Sequence, residues 1–204
     1  LGDNVQCCYH GMEFDAAGKC VRIPGQSSIP PRLKAKVYPL VERHGWVWVW
    51  MGAAAKADPA LIHDYHWNDE PGWKPVMGYI HVAAEYRLVV DNLMDLTHET
   101  FVHPTSIGQT AVAETPITTG TENGKVKVTR LMPGIPAPPL FAKVRGLKTI
   151  DRWQHIYFDV PAHIRIDAGG VPSDTKDMSK ALRWMVLNAM TPETERSTHY
   201  FWAL

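Results

Sequence analysis

The sequence predicts an α+β protein: a small all-β part, then one amphipathic helix, then an antiparallel sheet. Three observations carry this. Short apolar runs separated by Gly and Pro fill the first fifty residues. From Tyr86 to His103 the apolar positions recur with a helical period, and from residue 115 onward they alternate with period two.

The elements follow in order. Residues 5–11 lead into residues 14–21, and residues 15–18, ending in glycine, read as a hairpin loop. Pro24-Gly25 and Pro30-Pro31 mark loops. Residues 36–38 and 45–50 read as strands. In the second, Trp46, Trp48 and Trp50 share one face and Val47 and Val49 the other, so both faces are apolar and expected to be covered. Residues 53–75 form a connector, with a domain boundary near residues 52–58. After the helix come strands at 115–119, 125–131, 155–159, 163–168, 183–189 and 199–204, with a Pro-rich loop at 133–139.

The helix carries most of the chemistry. At about 100° per residue, Val89, Val90, Leu93, Met94, Leu96, Thr97 and Phe101 fall on one arc. Asp91, Asn92, Asp95, His98 and Glu99 fall on the other. Such a stripe is ordinarily a solvated face. This one holds no Lys or Arg after Arg87, whereas solvated faces mix signs. Carboxylate and neutral imidazole together are donors for iron or zinc, and two His with one carboxylate form a facial triad for Fe(II). His98 and His103 lie about 140° and about 7.5 Å apart on an ideal helix. Sharing one metal therefore requires the helix to widen or end between them. Pro104 favours an end, because the residue before proline leaves the helical region. Asp95, three residues before His98, is either a ligand or a group behind one.

Composition narrows the classes. Lys+Arg and Asp+Glu both total 21, so there is no basic footprint for nucleic acid. No apolar run approaches the roughly 20 residues of a membrane span. Three cysteines without a secretory leader fit a reducing, cytoplasmic setting, where Cys binds metal more readily than it crosslinks. Cys7 and His10 form a C-x2-H unit. Zinc would need a second pair nearby, and none follows.

QCCYHGMEFDAAGKCVRIPGQ resembles the second half of a Rieske motif, and DNLMDLTHETFVH the iron segment of Rieske oxygenases. With DPALIHDYHW, SIGQ and MTPETERSTHYFWAL, the chain is similar over nearly its whole length to the oxygenase component of vanillate O-demethylase and its relatives, such as dicamba monooxygenase. The resemblance implies that residues 1–52 are the C-terminal part of a Rieske domain. Residues 53–204 would be the N-terminal part of a catalytic domain. Cys7 and His10 would bind a [2Fe–2S] cluster, as one half of its two Cys and two His, while Cys8 and Cys20 would not. His98 and His103 would bind a mononuclear Fe(II). Asp95 would be the electron bridge to a cluster histidine of a neighbouring subunit in a homotrimer, and Asn92 a group near the iron. The other cluster ligands and the iron carboxylate would lie outside residues 1–204, so the chain is expected to be a fragment, inactive alone.

The activity implied is O-demethylation of vanillate to protocatechuate and formaldehyde. O2 is the oxidant, and NADH electrons arrive through a separate flavin- and ferredoxin-type reductase. Other methoxylated or methylated aromatic acids fit the same resemblance. A Rieske electron-transfer protein without catalytic iron, or a binding module with a degenerate site, are the competing classes. Residue type alone offers Leu140, Phe141, Arg152, Trp153, His155 and Arg165 for the substrate pocket, against the simpler expectation that they pack or meet solvent.

Overall fold

The computed structural model describes residues 2–204. The chain divides into two compact units, one ending at Asp64 and the other running Tyr65–Leu204. The division lies inside the Pro- and Trp-rich connector.

The first unit is all β. Strands β1 (Val5–Gln6), β2 (Glu13–Phe14) and β3 (Cys20–Arg22) make an antiparallel three-stranded sheet. The loop over residues 15–18 forms as expected. Asp15 Oδ1 accepts the backbone N–H groups of Ala17 and Lys19, and Gly18 has φ +74°. A Cβ at Gly18 would also meet the Ala35 carbonyl oxygen at 2.4 Å, so glycine is required there. Strands β4 (Leu40–Arg43) and β5 (Trp46–Val49) form a separate hairpin. No strand forms over residues 36–38. Trp46, Trp48 and Trp50 are half-buried, but Val47 and Val49 are 66% and 51% exposed. A two-stranded hairpin covers only one of its faces, so the expectation of two covered faces fails.

The second unit is built on a seven-stranded antiparallel sheet. Its spatial order is β6 (Met77–Val82), β12 (Ser197–Ala203), β11 (Leu182–Thr194), β10 (His163–Pro172), β9 (Thr149–Asp159), β8 (Lys125–Pro136) and β7 (Thr118–Glu122). Strand β6 was not anticipated: its residues, MGYIHV, do not alternate cleanly between apolar and polar. The strand expected at 115–119 is displaced to β7, because Thr110–Glu114 is helical. The expected loop at 133–139 is mostly strand. Strand β8 continues to Pro136 with a register shift between Met132 and Ile135. Its pairing with β7 stops at Thr129, so Pro133 lies where β8 has an open edge and its missing N–H removes no ladder bond. Pro139 then opens helix α4 (Pro139–Arg145) at the position that tolerates proline.

Helices α1 (Tyr86–Met94), α2 (Glu99–Val102) and α3 (Thr110–Glu114) complete the unit. Leu96, Val128, Ile156, Ile164, Ile166, Ala168 and Met190 are buried, and Val89, Val90 and Leu93 of α1 pack against them. In β9, Ile150, Arg152, Gln154 and Ile156 are buried, alternating with Asp151, Trp153, His155 and Tyr157, which face the other side of the sheet. No helix among the described residues is long and apolar enough to cross a membrane.

Candidate metal centre

The helical segment is broken at Asp95. Helix α1 ends at Met94, and Asp95 is extended, with φ −114° and ψ 98°. A 3-10 turn, Leu96–His98, leads into the single turn of α2, and His103 closes it with φ −120° and ψ 39°. The helix therefore does end between His98 and His103, at Val102. The earlier break was not foreseen. Asp95 makes it: as N-cap of the 3-10 turn, its Oδ1 accepts the Thr97 N–H at 2.8 Å.

The break rotates the second half of the segment. A continuous helix would point Phe101 at the core and Glu99 at solvent. In the structure Phe101 is 74% exposed and Glu99 is 5% exposed. Glu99 is thus removed from the acid stripe. Its Oε2 accepts Arg152 Nη2 at 2.8 Å and Gln154 Nε2 at 2.9 Å, both from buried positions of β9. Burial pushes the Glu99 carboxyl above its ordinary value, against the pull of Arg152.

The two imidazoles are brought together, with ring centroids 5.6 Å apart and planes at 67°. A ligating nitrogen sits about 2 Å from its metal and about 1 Å from its ring centroid. Two rings sharing one ion therefore have centroids no more than about 6 Å apart, and this pair satisfies that. His98 Nδ1 lies 2.7 Å from the Asp95 carbonyl oxygen. A carbonyl only accepts, so Nδ1 carries the proton and neutral His98 presents Nε2 as a free lone pair. This backing is common behind metal-bound imidazole. The donor set fits a divalent metal held by two histidines. Among the described residues no third His, Cys, Asp or Glu joins them.

The Asp95 carboxylate is largely exposed. Hydrogen bonds from Thr97, through its side chain and then its backbone, hold its pKa below the ordinary range. Asn92 is exposed on α1, a turn before Asp95. Arg152 is buried against Glu99 and donates from Nη1 to the Ile107 carbonyl at 2.7 Å. Phe141 is fully buried against Trp184. Arg165 lies over the rings of Tyr157 and Trp67, at 4.1 and 5.0 Å. Trp153 and His155 line an open cleft with Leu131, Arg152 and Met178.

In the first unit, Cys7 begins a tight turn: its N–H donates to Met12 O and its carbonyl accepts from Gly11 N. Backbone N–H groups of Tyr9 and then His10 bond its sulfur and hold the thiol below its ordinary pKa. A sulfur so placed favours thiolate, the ligating form, and fits an iron–sulfur role. His10 follows on the same turn, exposed, its ring 3.9 Å from that of Tyr9. Cys8 is exposed. Cys20 is buried and donates to Arg22 O, as a packed thiol would.

Comparison with known proteins places the chain in a family. Residues 82–204 match the family model of the vanillate O-demethylase oxygenase C-terminal domain, and residues 1–39 match that of the Rieske [2Fe-2S] domain. The iron-sulfur subunit of a toluene-4-sulfonate monooxygenase system from Comamonas testosteroni is 43% identical, over 98% of this chain and 60% of its own. A vanillate O-demethylase oxygenase subunit from a Pseudomonas species is 41% identical, over 97% and 63%. The crystal structure of dicamba monooxygenase bound to 3,6-dichlorosalicylic acid superposes with a TM-score of 0.90 at 33% identity, covering all of this chain and 60% of that one. The chain thus spans about 60% of the length of these relatives.

Proposed function

Since the chain belongs to the vanillate O-demethylase oxygenase family of Rieske non-haem iron oxygenases, we propose that it is the ligand-bearing part of a monooxygenase that O-demethylates a methoxylated aromatic acid, vanillate in the first instance. The balance is an aryl methyl ether, O2, two electrons and two protons, giving a phenol, formaldehyde and water. NADH supplies the electrons through a separate flavin- and ferredoxin-type reductase, in a cytoplasmic homotrimer. The observation that carries this reading is the His98–His103 pair, with rings 5.6 Å apart and the proton of His98 fixed on Nδ1.

Residues 1–52 serve the Rieske role, with Cys7 and His10 as cluster ligands. Residues 53–204 serve the catalytic role, with His98 and His103 as iron ligands. When bound, the cluster supplies single electrons and the iron supplies O2 activation. The protein's part is placement. The Asp95 carbonyl keeps the His98 lone pair directed outward. The Asp95 carboxylate, exposed and anionic, is available to accept a hydrogen bond from a cluster histidine of a neighbouring subunit, which shortens the electron path. Asn92, one turn away, is assigned a polar role near the iron.

The test is formaldehyde release by the intact enzyme with reductase, NADH and vanillate. Equimolar formaldehyde and protocatechuate support the proposal. NADH consumption without either product, across a panel of methoxybenzoates, refutes it. A second reading has its own support: the 43% identity to a toluene-4-sulfonate system favours an aromatic acid carrying a methyl group instead. The same panel, extended to methyl-substituted aryl acids and sulfonates, separates the two.

A further inference from the structure

The turn that carries both histidines is too short to hold its own shape. Helix α2 has four residues, and isolated helices need about 12–15 to be even marginal. Its shape must come from tertiary ties, and these converge on β8 and β9. Thr97 Oγ1 accepts Arg130 Nη2 at 2.9 Å, just before His98. Glu99, just after His98, is bonded by Arg152 and Gln154. Arg152 also donates to Ile107 O, four residues beyond His103. One guanidinium therefore grips the chain inside the His98–His103 interval, at Glu99, and again beyond it, at Ile107. Arg130 Nη1 donates to Gln154 Oε1 at 3.1 Å, closing the array. Arg130, Arg152, Gln154 and Glu99 are 5%, 2%, 1% and 5% exposed.

We propose that the buried Glu99–Arg152 pair, braced by Gln154 and Arg130, is the positioning device that sets the distance between the two iron histidines. The inference rests on the assignment of His98 and His103 as metal ligands. Stability alone is a poor reason for such a pair. Desolvating two charges offsets most of their attraction, and apolar residues of similar volume often serve as well or better. What apolar residues cannot supply is direction. Glu99 accepts two bonds from β9, while the same guanidinium fixes the loop after His103, so the interval is held at both ends against a rigid strand. Both side chains are buried behind the turn, and Glu99 and Arg152 act through the histidines.

The test uses the intact enzyme and two variants, Arg152→Met and the double variant Glu99→Leu/Arg152→Met. Thermal melting reports the fold, visible absorbance reports the cluster, and chelator competition reports Fe(II) affinity at the mononuclear site. Groups that orient metal ligands typically contribute about 10–100-fold in affinity. Arg152→Met should keep its cluster, melt lower because Glu99 is left buried and unpaired, and bind Fe(II) at least about tenfold more weakly. The double variant should recover most of its stability while its iron affinity stays low. Recovery of stability and wild-type iron affinity together would show a merely structural pair and overturn the proposal. So would Arg152→Met with unchanged iron affinity. If the wild type holds no iron beyond its cluster, the ligand assignment itself has failed, which is a separate and recognisable result.

Discussion

Gly108 offers a sharp test of how tightly the histidine turn is confined. Its N–H donates to the His103 carbonyl at 2.8 Å, closing the loop behind the turn. A Cβ at this position would lie 2.1 Å from the Glu99 carbonyl oxygen and 2.8 Å from that of His103. Both are backbone atoms and cannot swing aside as a side chain can. Close carbon–oxygen contacts begin at about 3.3 Å, so Gly108→Ala forces the Glu99 carbonyl back by about 1 Å. Overpacking of this kind costs about 1–3 kcal/mol. For a domain of this size each kcal/mol lowers Tm by about 2–4 °C, giving a fall of roughly 2–12 °C. Metal–ligand distances tolerate only about 0.2 Å, so a 1 Å retreat between the histidines should also empty the iron site. The control is Gly120→Ala in β7, where an added Cβ meets nothing within 4 Å. The assay is Tm together with mononuclear iron per cluster in the intact enzyme. A Gly108→Ala protein that melts within about 1 °C of wild type and keeps its iron would refute the reasoning.

Three further predictions follow from the same geometry. Cys7→Ala should abolish the cluster's visible absorbance and Cys8→Ala should leave it unchanged, since only the Cys7 sulfur is held by the Tyr9 and His10 amides; equal loss in both would sink the assignment. Asp95→Asn retains an oxygen to accept the Thr97 N–H, so both metals should stay bound while single-turnover reduction of the iron site slows by orders of magnitude; a wild-type rate in rapid-mixing spectroscopy would exclude the bridge. Burial raises the Asp167 pKa, but the paired bonds from Arg183 and the Trp153 indole outweigh it and hold the carboxyl below its ordinary value. A depressed folded pKa gives stability that is full above the unfolded value, about 3.9, and is lost as pH falls through the folded one. The Tm difference between wild type and Asp167→Asn should therefore be constant from pH 5 to 7 and shrink below about pH 4, as thermal melts over that range will show.

The sequence carried the fold class, because periodicity is local. Strands β10 and β11 were legible from alternation, while His98 and His103 were assigned to one metal only through the family resemblance. What was lost depended on contacts far along the chain. Glu99 and Arg152 are 53 residues apart, and nothing near Glu99 marks it as the acid that turns inward. A cue did exist for the break. Asp95 stands two residues before a threonine whose N–H it caps, and aspartate is a preferred N-cap. Continuous helical periodicity hid it, since Leu96 stays in the core on either description. Strand β8 was cut short in the sequence for a similar reason: Pro133 reads as a loop until the end of β7 leaves that edge of β8 open.

The two acids flanking His98 explain why the break belongs where it is. Asp95 and Glu99 are four residues apart, and on an unbroken helix they would share a face. A face that buried Glu99 against Arg152 would then bury Asp95 as well, where a second carboxylate would need a partner of its own. A face that exposed Asp95 would expose Glu99 and leave the histidine turn without its tie to β9. Breaking the helix at Asp95 uncouples the two. The carboxylate before His98 stays in solvent, ionised and free to reach outward, while the carboxylate after His98 goes inward to fix the turn. The cost is the loss of helical hydrogen bonds at one residue, partly offset by the Asp95 cap on Thr97 and by the His98 Nδ1 bond to the Asp95 carbonyl. That carbonyl also accepts the His98 Nδ1 proton, so the residue at the break also sets which nitrogen His98 offers to a metal.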